Sequence, residues 1–154
     1  MKLYLVQHGQ AKSKELDPER SLTEKGVTDT EKSVQWLVKI NESVEKIIHS
    51  GKKRAEQTAQ IFASFLNPSQ GLISSTDLNP LDDVRIIAQQ LDTEPDSLMI
   101  VGHLPYLTKL ASYLLTGDDQ LQLVNFQNSG VVCLIRQENL WFLNWAMIPE
   151  NLSS

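Results

Sequence analysis

Two short apolar segments of this chain each end in a histidine that lies beside a glycine. Residues 3–9 read LYLVQHG and residues 98–103 read LMIVGH, and each segment is typical of a buried strand that runs into a tight turn. Ligands of open α/β sheets bind at the carboxyl ends of the strands, which makes His8 and His103 candidates for one site. Gly9 leaves the backbone free to adopt a positive φ and lets a ligand approach the main chain.

Two further segments supply cationic candidates for the same site. Residues 47–59, which read IIHSGKKRAEQTA, predict a strand end, a basic turn and the start of a helix that carries Arg54. Arg20 lies just before another helix start, in the sequence RSLTEKG at residues 20–26. If these strand and loop ends meet at one edge of a sheet, the two arginines and the two histidines converge on a single pocket.

The order of the predicted elements indicates an α/β fold. Strands are expected at 2–7, 44–49, 71–75, 97–102, 131–136 and 141–147. Helices are expected from Thr23 as N-cap to about residue 40, before Pro68, at 81–91 and at 104–116. This alternation favours a three-layer α/β/α sandwich with a mostly parallel central sheet and, from a hairpin with residues 137–139 as its turn, an antiparallel C-terminal edge. Residues 1–154 are expected to form a single domain.

Charge and composition argue against several classes of protein. A net charge of −5 and a pI near 5.1 argue against a nucleic acid partner. No apolar run reaches the roughly 20 residues of a membrane span, and the first residues do not resemble a signal peptide, so we expect a cytoplasmic protein without a membrane partner. The one cysteine, Cys133, lies in an apolar segment, where a buried structural thiol is the expected state.

Four motifs follow one another along the chain, namely Gln7-His8-Gly9, Leu22-Thr23-Glu24-Lys25-Gly26, Ser50-Gly51-Lys52-Lys53-Arg54-Ala55-Glu56-Gln57-Thr58 and Gly102-His103-Leu104-Pro105. In order and spacing they resemble the Arg-His-Gly, Leu-Thr-x-x-Gly, Ser-Pro-x-x-Arg-Ala-x-Gln-Thr and Gly/Ser-His-x-Pro motifs of the histidine phosphatase superfamily. Within that superfamily they are similar to the small phosphohistidine phosphatases of the SixA type. The resemblance spans nearly the whole chain and implies a phosphoglycerate mutase-like fold.

The resemblance implies a site for phosphoryl transfer. His8 would attack phosphorus through a neutral ring nitrogen and become a transient phosphohistidine that water hydrolyses. Arg54 and Arg20 would hold the phosphate oxygens, and His103, near a helix N-terminus, would donate a further hydrogen bond. Ser50 would contact the substrate through its hydroxyl or its backbone. No cofactor and no metal are expected, since two histidines alone are a poor set of metal ligands.

Gln7 departs from the family pattern, which has an arginine before the nucleophilic histidine. An amide at this position donates a hydrogen bond to phosphate but supplies neither a charge nor a bidentate donor. A charged hydrogen bond contributes about 1.5–3 kcal/mol, so the exchange would weaken phosphate binding by about ten- to a hundredfold. A second departure, Gly51 in place of the usual proline, changes the turn with little chemical consequence.

The proton donor for the leaving group is the least defined part of the predicted site. Asp77 and Asp82 are the candidate carboxylates, although a solvated turn or a helix N-cap accounts for either one. Weak acid catalysis suits a phosphoramidate, because imidazole leaves phosphorus more readily than an alkoxide does. The predicted partner is therefore a phosphorylated protein, namely a phosphotransfer domain that carries phosphohistidine.

Two alternatives stay open at this point. One is a phosphatase of small phosphate esters, for which Asp77 or Asp82 would have to be a working acid. The other is a weakly active phosphate- or phosphohistidine-binding module, which follows from the missing cation at Gln7.

Overall fold

Strands and helices alternate along the chain, as predicted. The structure, a computed structural model, describes residues 1–152. Its strands are β1 (Lys2–Gln7), β2 (Lys46–His49), β3 (Leu72–Ser74), β4 (Leu98–Gly102), β5 (Val131–Gln137) and β6 (Leu140–Met147). Its α-helices are α1 (Glu24–Lys39), α2 (Lys53–Leu66), α3 (Val84–Leu91) and α4 (Tyr106–Thr116). Short 3-10 helices lie at Thr76–Leu78 and Pro149–Asn151.

The six strands form one sheet in the order β3-β2-β4-β1-β5-β6. The first four positions pair in parallel, while β5 is antiparallel to β1 and β6 is antiparallel to β5. The predicted, mostly parallel sheet with an antiparallel C-terminal edge is therefore confirmed. In the pairing of β1 with β4, Gln7 lies opposite Gly102, and the His8 amide donates to the Gly102 carbonyl at 3.1 Å. The segments that carry the two histidines are thus neighbours at one edge of the sheet.

Helices cover both faces of the sheet, which confirms the three-layer architecture. Along β1 the side chains alternate, because successive residues of a strand point to opposite faces. Leu3 and Leu5 pack in a core with α3 and α4, whereas Tyr4 and Val6 pack in a second core with α1 and α2. Both faces of β1 are buried, so its polar end at Gln7 is where the strand can first meet a ligand.

Several predicted boundaries differ from the structure by one to three residues. The helix expected at 81–91 begins at Val84, because the Asp83 side chain caps it by accepting from Arg85 N at 3.0 Å. The hairpin turn consists of Glu138 and Asn139 alone, with φ of 51° and 67°. Two residues with positive φ form a tight turn that matches the twist of the flanking strands, so the predicted three-residue turn at 137–139 is wrong by one residue.

Cys133 is buried and free, as expected for a structural thiol. Burial is the main cause that raises the pKa of Cys133, to about 11. Within the described residues, every helix is either too short or too polar to cross a membrane.

Gly26 allows the start of α1 to pack against the loop that follows β1. Thr23 caps this helix, as predicted, by accepting from Gly26 N at 3.0 Å. A Cβ at position 26 would overlap the carbonyl oxygen of Gln10, which is backbone and cannot rotate away. We expect Gly26→Ala to lower the free energy of unfolding by about 1–3 kcal/mol in urea denaturation, because overpacking forces the backbone to shift.

Gly102→Ala is the matched control for this experiment. A Cβ at position 102 would make only an ordinary van der Waals contact of 3.7 Å with Leu107. Equal stability of the two variants would show that the approach of α1 to the Gln10 loop does not require glycine.

Candidate active site

His8 is held by its own loop, and among residues 1–152 only one of its two ring nitrogens, Nδ1, has a hydrogen-bond partner. Its Nδ1 lies 2.7 Å from the Gly9 carbonyl oxygen. A carbonyl oxygen only accepts, so Nδ1 of neutral His8 carries the proton and Nε2 keeps its lone pair. Asn128 fixes the backbone beneath the ring by donating from Nδ2 to the His8 carbonyl at 2.9 Å. This arrangement prepares Nε2 as a nucleophile.

His103 lies beside His8 and is oriented by Ser50. The centroids of the two imidazole rings are 5.1 Å apart, with an angle of 53° between their planes. Ser50 Oγ lies 2.6 Å from His103 Nε2, and the hydroxyl can act as donor or acceptor. Ser50 therefore contacts the second histidine, and its predicted contact with the substrate stays a prediction.

Two guanidinium groups bring positive charge to the histidines. Arg54 lies in the first turn of α2 and Arg20 in the loop before α1. Both are close enough to influence the pKa of His8 and of His103. The predicted convergence of Arg20, Arg54, His8 and His103 is therefore what the structure shows. An open cavity of about 480 Å³ adjoins Arg54 and is lined by Glu19, Gly51, Lys52, Lys53, Arg54 and Glu56.

The loop at residues 11–22 sets the position of Arg20. Arg20 has a φ of 54°, in the left-handed region that non-glycine residues rarely adopt. Its Nε donates to the Lys12 carbonyl at 3.1 Å. Asp17 holds the turn by accepting from the amides of Glu19 at 3.1 Å and Ser21 at 3.0 Å. The sequence analysis assigned no role to Asp17, although an aspartate before proline is a common turn signal.

Gly9 is required by close packing, not by its backbone angle. Positive φ values occur at Gly51, Gly71 and Gly117 but not at Gly9, so Gly9 does not use the positive φ that glycine permits. A Cβ at position 9 would lie within 3.1 Å of three atoms, namely Gly26 O, Thr30 Oγ1 and Ser129 Oγ. The Gly9 amide donates to Thr58 Oγ1 at 2.9 Å.

The Gln-Thr pair of the third motif supports the site from behind. Thr58 connects the nucleophile loop to α2, since its hydroxyl accepts from Gly9 and donates to the Arg54 carbonyl at 2.8 Å. Gln57 Oε1 accepts from the Leu22 amide at 2.7 Å and so joins α2 to the Arg20 loop. Sequence reasoning treated the pair only as a family signature. The structure gives both residues a positioning role.

Unpartnered polar atoms concentrate at this site. Among residues 1–152, five buried side-chain atoms lack a hydrogen-bond partner, and three of them are Gln7 Oε1, Arg54 Nε and His103 Nδ1. A buried polar atom without a partner costs about 1–3 kcal/mol, so such a cluster is typical of a site that a ligand completes. Gln7 lies at the end of β1, beside the nucleophile, where the sequence analysis placed it.

Asp77 and Asp82 lie in the segment between β3 and α3, with Asp77 in the 3-10 helix Thr76–Leu78. Burial is the main cause that raises the pKa of the Tyr106 hydroxyl, and the carboxylates of Asp82, Asp77 and Asp83 add to it. The charges that influence the pKa of His8 are those of Arg54 and Arg20. Asp82 Oδ2 accepts from the Asn79 amide at 2.8 Å, as a turn residue does. A role of Asp77 or Asp82 at the substrate, as proton donor to the leaving group, stays a prediction.

Comparison with known proteins identifies the family. The model of the histidine phosphatase superfamily, branch 1, matches residues 3–79, which include His8, Arg20 and Arg54. The chain belongs to the histidine phosphatase superfamily. It is 26% identical to the phosphohistidine phosphatase SixA of Escherichia coli K12, over 99% of this chain and 96% of that protein. It is 32% identical to an uncharacterised protein of Picosynechococcus sp., over 87% of this chain and 84% of that protein.

A solved structure of a superfamily member supports the same assignment. The protein histidine phosphatase SixA in complex with tungstate superposes with a TM-score of 0.89, at 26% identity over 99% of this chain and all of that chain. This likeness extends beyond residue 79, so it includes the β4–α4 segment that carries His103.

Both site histidines of this superfamily member are neutral at physiological pH. The pKa of His8 is lowered to about 4, mainly by burial. The hydrogen bond to Gly9 opposes this shift, and the guanidinium groups of Arg54 and Arg20 add to it. Burial likewise lowers the pKa of His103 to about 3, with smaller effects from His8, Arg54, Lys52 and Arg20. A neutral imidazole is the form that has a lone pair to attack phosphorus.

We expect this depression to be visible in two experiments. In two-dimensional NMR, the rings of His8 and His103 should stay neutral down to pH 5, far below the ordinary histidine pKa of 6.5. The unfolded chain protonates these histidines at a higher pH than the folded chain does. The free energy of unfolding should therefore fall as the pH drops below 6.5, whereas above pH 6.5 the two histidines should not change it. Titration of either ring near pH 6.5 would contradict the burial of the site.

Among residues 1–152, no three histidine, cysteine, aspartate or glutamate side chains are grouped as metal ligands. Arg20 and Arg54 supply positive charge near His8.

Proposed function

We propose that this chain is a protein phosphohistidine phosphatase that works through a covalent phosphohistidine at His8. The observation that carries the proposal is the state of His8, whose Nδ1 is held on the Gly9 carbonyl at 2.7 Å while Nε2 is free. The likeness to SixA, which is named for phosphohistidine phosphatase activity, supports the choice of substrate. The likeness to a tungstate complex supports an oxyanion site, since tungstate has the tetrahedral oxygens of phosphate.

In the first step the lone pair of His8 Nε2 attacks phosphorus, and the bond from phosphorus to the substrate imidazole breaks. The leaving imidazole takes a proton from solvent on its distal nitrogen and departs as a neutral ring. In the second step water attacks phosphorus, the bond from phosphorus to His8 breaks, and inorganic phosphate leaves with the lone pair returned to Nε2. The charge that develops on the phosphoryl oxygens in both steps is stabilised by fixed donors.

The unpartnered donors of the site fit this task. Arg54 Nε is buried and has no partner among the described residues, so a phosphoryl oxygen would complete its hydrogen bonding. Arg20 adds a second positive charge near His8. Arginine donors are fixed in a planar fork and remain charged, which suits a group with three equivalent oxygens. The proposal therefore requires no metal ion.

The leaving group favours phosphohistidine over a phosphate ester. An alkoxide needs a strong general acid at the scissile oxygen. Of the candidate carboxylates, Asp82 is engaged within its own turn, where Oδ2 accepts from the Asn79 amide at 2.8 Å. A protonated imidazole leaves without such an acid, and so a phosphoramidate matches the side chains that surround His8.

The test is single-turnover phosphate release from a phosphotransfer domain labelled with phosphohistidine, measured beside para-nitrophenyl phosphate and in the presence of EDTA. We expect fast release from the protein, slow release from the ester, and an acid-labile phosphoenzyme that accumulates when product is sampled early. If the chain hydrolyses the ester but releases no phosphate from the labelled protein, the proposal is wrong and the chain is a phosphatase of small phosphate esters. Loss of activity in EDTA would contradict a metal-free mechanism.

A further inference from the structure

The two ring nitrogens of His103 have different surroundings. Nε2 lies 2.6 Å from Ser50 Oγ, whereas Nδ1 is buried and has no hydrogen-bond partner within residues 1–152. A neutral imidazole carries one proton, so one nitrogen donates a hydrogen bond and the other accepts one. The nitrogen that carries the proton therefore decides whether Nδ1 offers a ligand a donor or an acceptor.

The hydrogen bonds of Ser50 favour a proton on Nδ1 of His103. The Ser50 hydroxyl accepts from the Lys52 amide at 3.4 Å, and in the described part of the chain its own proton has one acceptor within reach, His103 Nε2. If Nε2 carried the proton, it would donate to Ser50 Oγ, and the serine proton would be left without that acceptor. If Nε2 is unprotonated, the amide donates to the hydroxyl, the hydroxyl donates to Nε2, and all three groups are paired.

The length of the bond between Ser50 and His103 agrees with this direction. Hydrogen bonds from N–H groups to oxygen typically span about 2.7–3.2 Å, and those donated by hydroxyl groups are shorter, about 2.5–3.0 Å between oxygens. The distance of 2.6 Å between Ser50 Oγ and His103 Nε2 lies below the first range and within the second. The hydroxyl is therefore the donor, and the proton of the ring is on Nδ1.

The two site histidines then keep opposite groups available for a ligand. His8 donates its Nδ1 proton to the Gly9 carbonyl at 2.7 Å and keeps a lone pair on Nε2. His103 accepts at Nε2 and keeps a proton on Nδ1, and the two ring centroids are 5.1 Å apart. A phosphoryl group needs both, because its phosphorus is attacked by a lone pair and its oxygens accept hydrogen bonds. In the other tautomer, the lone pair on Nδ1 of His103 would repel these oxygens.

We propose that Ser50 is a positioning residue, which holds the proton of His103 on Nδ1 so that this N–H donates to a phosphoryl oxygen of the substrate. This inference rests on the proposed function and adds to it the residue that makes His103 a donor. The proton stays on Nδ1 in both steps of the reaction, and the hydrogen bond strengthens as negative charge develops on the oxygens. Without the hydroxyl, the ring exchanges between its two tautomers, and only a fraction of the molecules has the donor.

Long-range proton–nitrogen NMR of the imidazole rings tests the tautomer directly in wild type, Ser50→Ala and Ser50→Thr. Spectra of His8→Asn and His49→Asn assign the signals, because the chain has three histidines. We expect wild-type His103 to show a protonated Nδ1 and an unprotonated Nε2. In Ser50→Ala the shifts of the two nitrogens should move towards each other. Ser50→Thr keeps the hydroxyl and should resemble wild type.

Binding and turnover test whether Nδ1 donates to the phosphoryl group. With inorganic phosphate as the probe, the Nδ1 proton of wild-type His103 should change its shift. We expect Ser50→Ala to weaken phosphate binding by about five- to tenfold, because phosphate then binds only the fraction of molecules with the proton on Nδ1. The kcat/KM for the phosphotransfer domain labelled with phosphohistidine should fall by a similar factor, and Ser50→Thr should stay within about twofold of wild type.

Ser112→Ala is the matched control. Ser112 is buried in α4, and its hydroxyl donates to the Asp118 carbonyl beyond the end of that helix, so this variant also loses one serine hydrogen bond. A proton on Nε2 of wild-type His103 would overturn the inference, and so would a Ser50→Ala variant that matches Ser112→Ala in its ring shifts and in kcat/KM. Both results leave the proposed function intact. A wild type that has the expected tautomer and binds phosphate, but releases none from the labelled protein, would overturn the proposed function and support the role of Ser50.

Discussion

We expect His8→Asn to lower kcat/KM for the phosphohistidine substrate by at least about 10⁴-fold, because no other side chain can take over the attack on phosphorus. The neighbouring imidazole of His103 is engaged by Ser50 Oγ at 2.6 Å through Nε2, and its Nδ1 is buried. Asparagine is close to histidine in size, so the loop that Gly9 and Asn128 support should keep its shape. The variant should also form no acid-labile phosphoenzyme.

His49→Asn is the matched control for this loss. His49 is the third histidine, it is buried at the end of β2, and its Nδ1 accepts from the Gly51 amide at 3.0 Å. The Oδ1 atom of asparagine can accept the same bond, so we expect a change in kcat/KM of less than about threefold. Single-turnover kinetics and retention of the labelled enzyme on acid-free gels measure both variants. If His8→Asn still formed a phosphoenzyme, the nucleophile would be a residue other than His8.

The position of the site could be predicted because it depends on strand order alone. Strands that end in His8 and His103 read as buried and parallel, and the carboxyl ends of parallel strands lie at one edge of a sheet. The structure places β1 directly beside β4, which brings the two histidines together without any detail of packing. Arg54 follows from the same reasoning, since it begins the helix after β2.

The details of the site could not be read from the sequence, because they depend on contacts between distant residues. Gly9 is needed because Ser129 and Thr30, from other parts of the chain, come within 3.1 Å of where its Cβ would be. Ser50 orients His103 across 53 positions of sequence. No local pattern encodes such contacts. The start of α3 does have a local signal, namely an aspartate that can cap the helix. Two neighbouring aspartates carry this signal, and the N-cap is Asp83 and not Asp82.

The second large effect concerns Gln7, where the superfamily motif has arginine. We expect Gln7→Arg to strengthen the binding of phosphate and tungstate by about ten- to a hundredfold, which corresponds to one added charged hydrogen bond of about 1.5–3 kcal/mol. Gln7 Oε1 is buried and has no hydrogen-bond partner. This oxygen accepts hydrogen bonds, as the oxygens of phosphate and tungstate do, so it cannot bind them. The guanidinium of an arginine would offer hydrogen-bond donors in its place. Isothermal titration calorimetry measures the change directly.

The same exchange should destabilise the ligand-free protein. A guanidinium at position 7 would stand near the charges of Arg54 and Arg20, which already lower the pKa of His8. Like charges in a partly buried site repel, so Tm of Gln7→Arg without phosphate should lie below that of wild type, and saturating phosphate should raise Tm more in the variant than in wild type. Gln7→Met is the control, because it keeps the length of glutamine without adding a charge, and it should show neither effect.

Activity of the three proteins then separates two explanations of Gln7. If wild type already releases phosphate from the labelled protein, the cations at Arg20 and Arg54 are sufficient for catalysis. Gln7 then lowers the affinity for the product phosphate, which has to leave the enzyme after each turnover. If only Gln7→Arg turns over, the wild-type chain binds phosphorylated partners without consuming them. An arginine variant that binds phosphate no more tightly than Gln7→Met would contradict both, because position 7 would then not face the phosphoryl group.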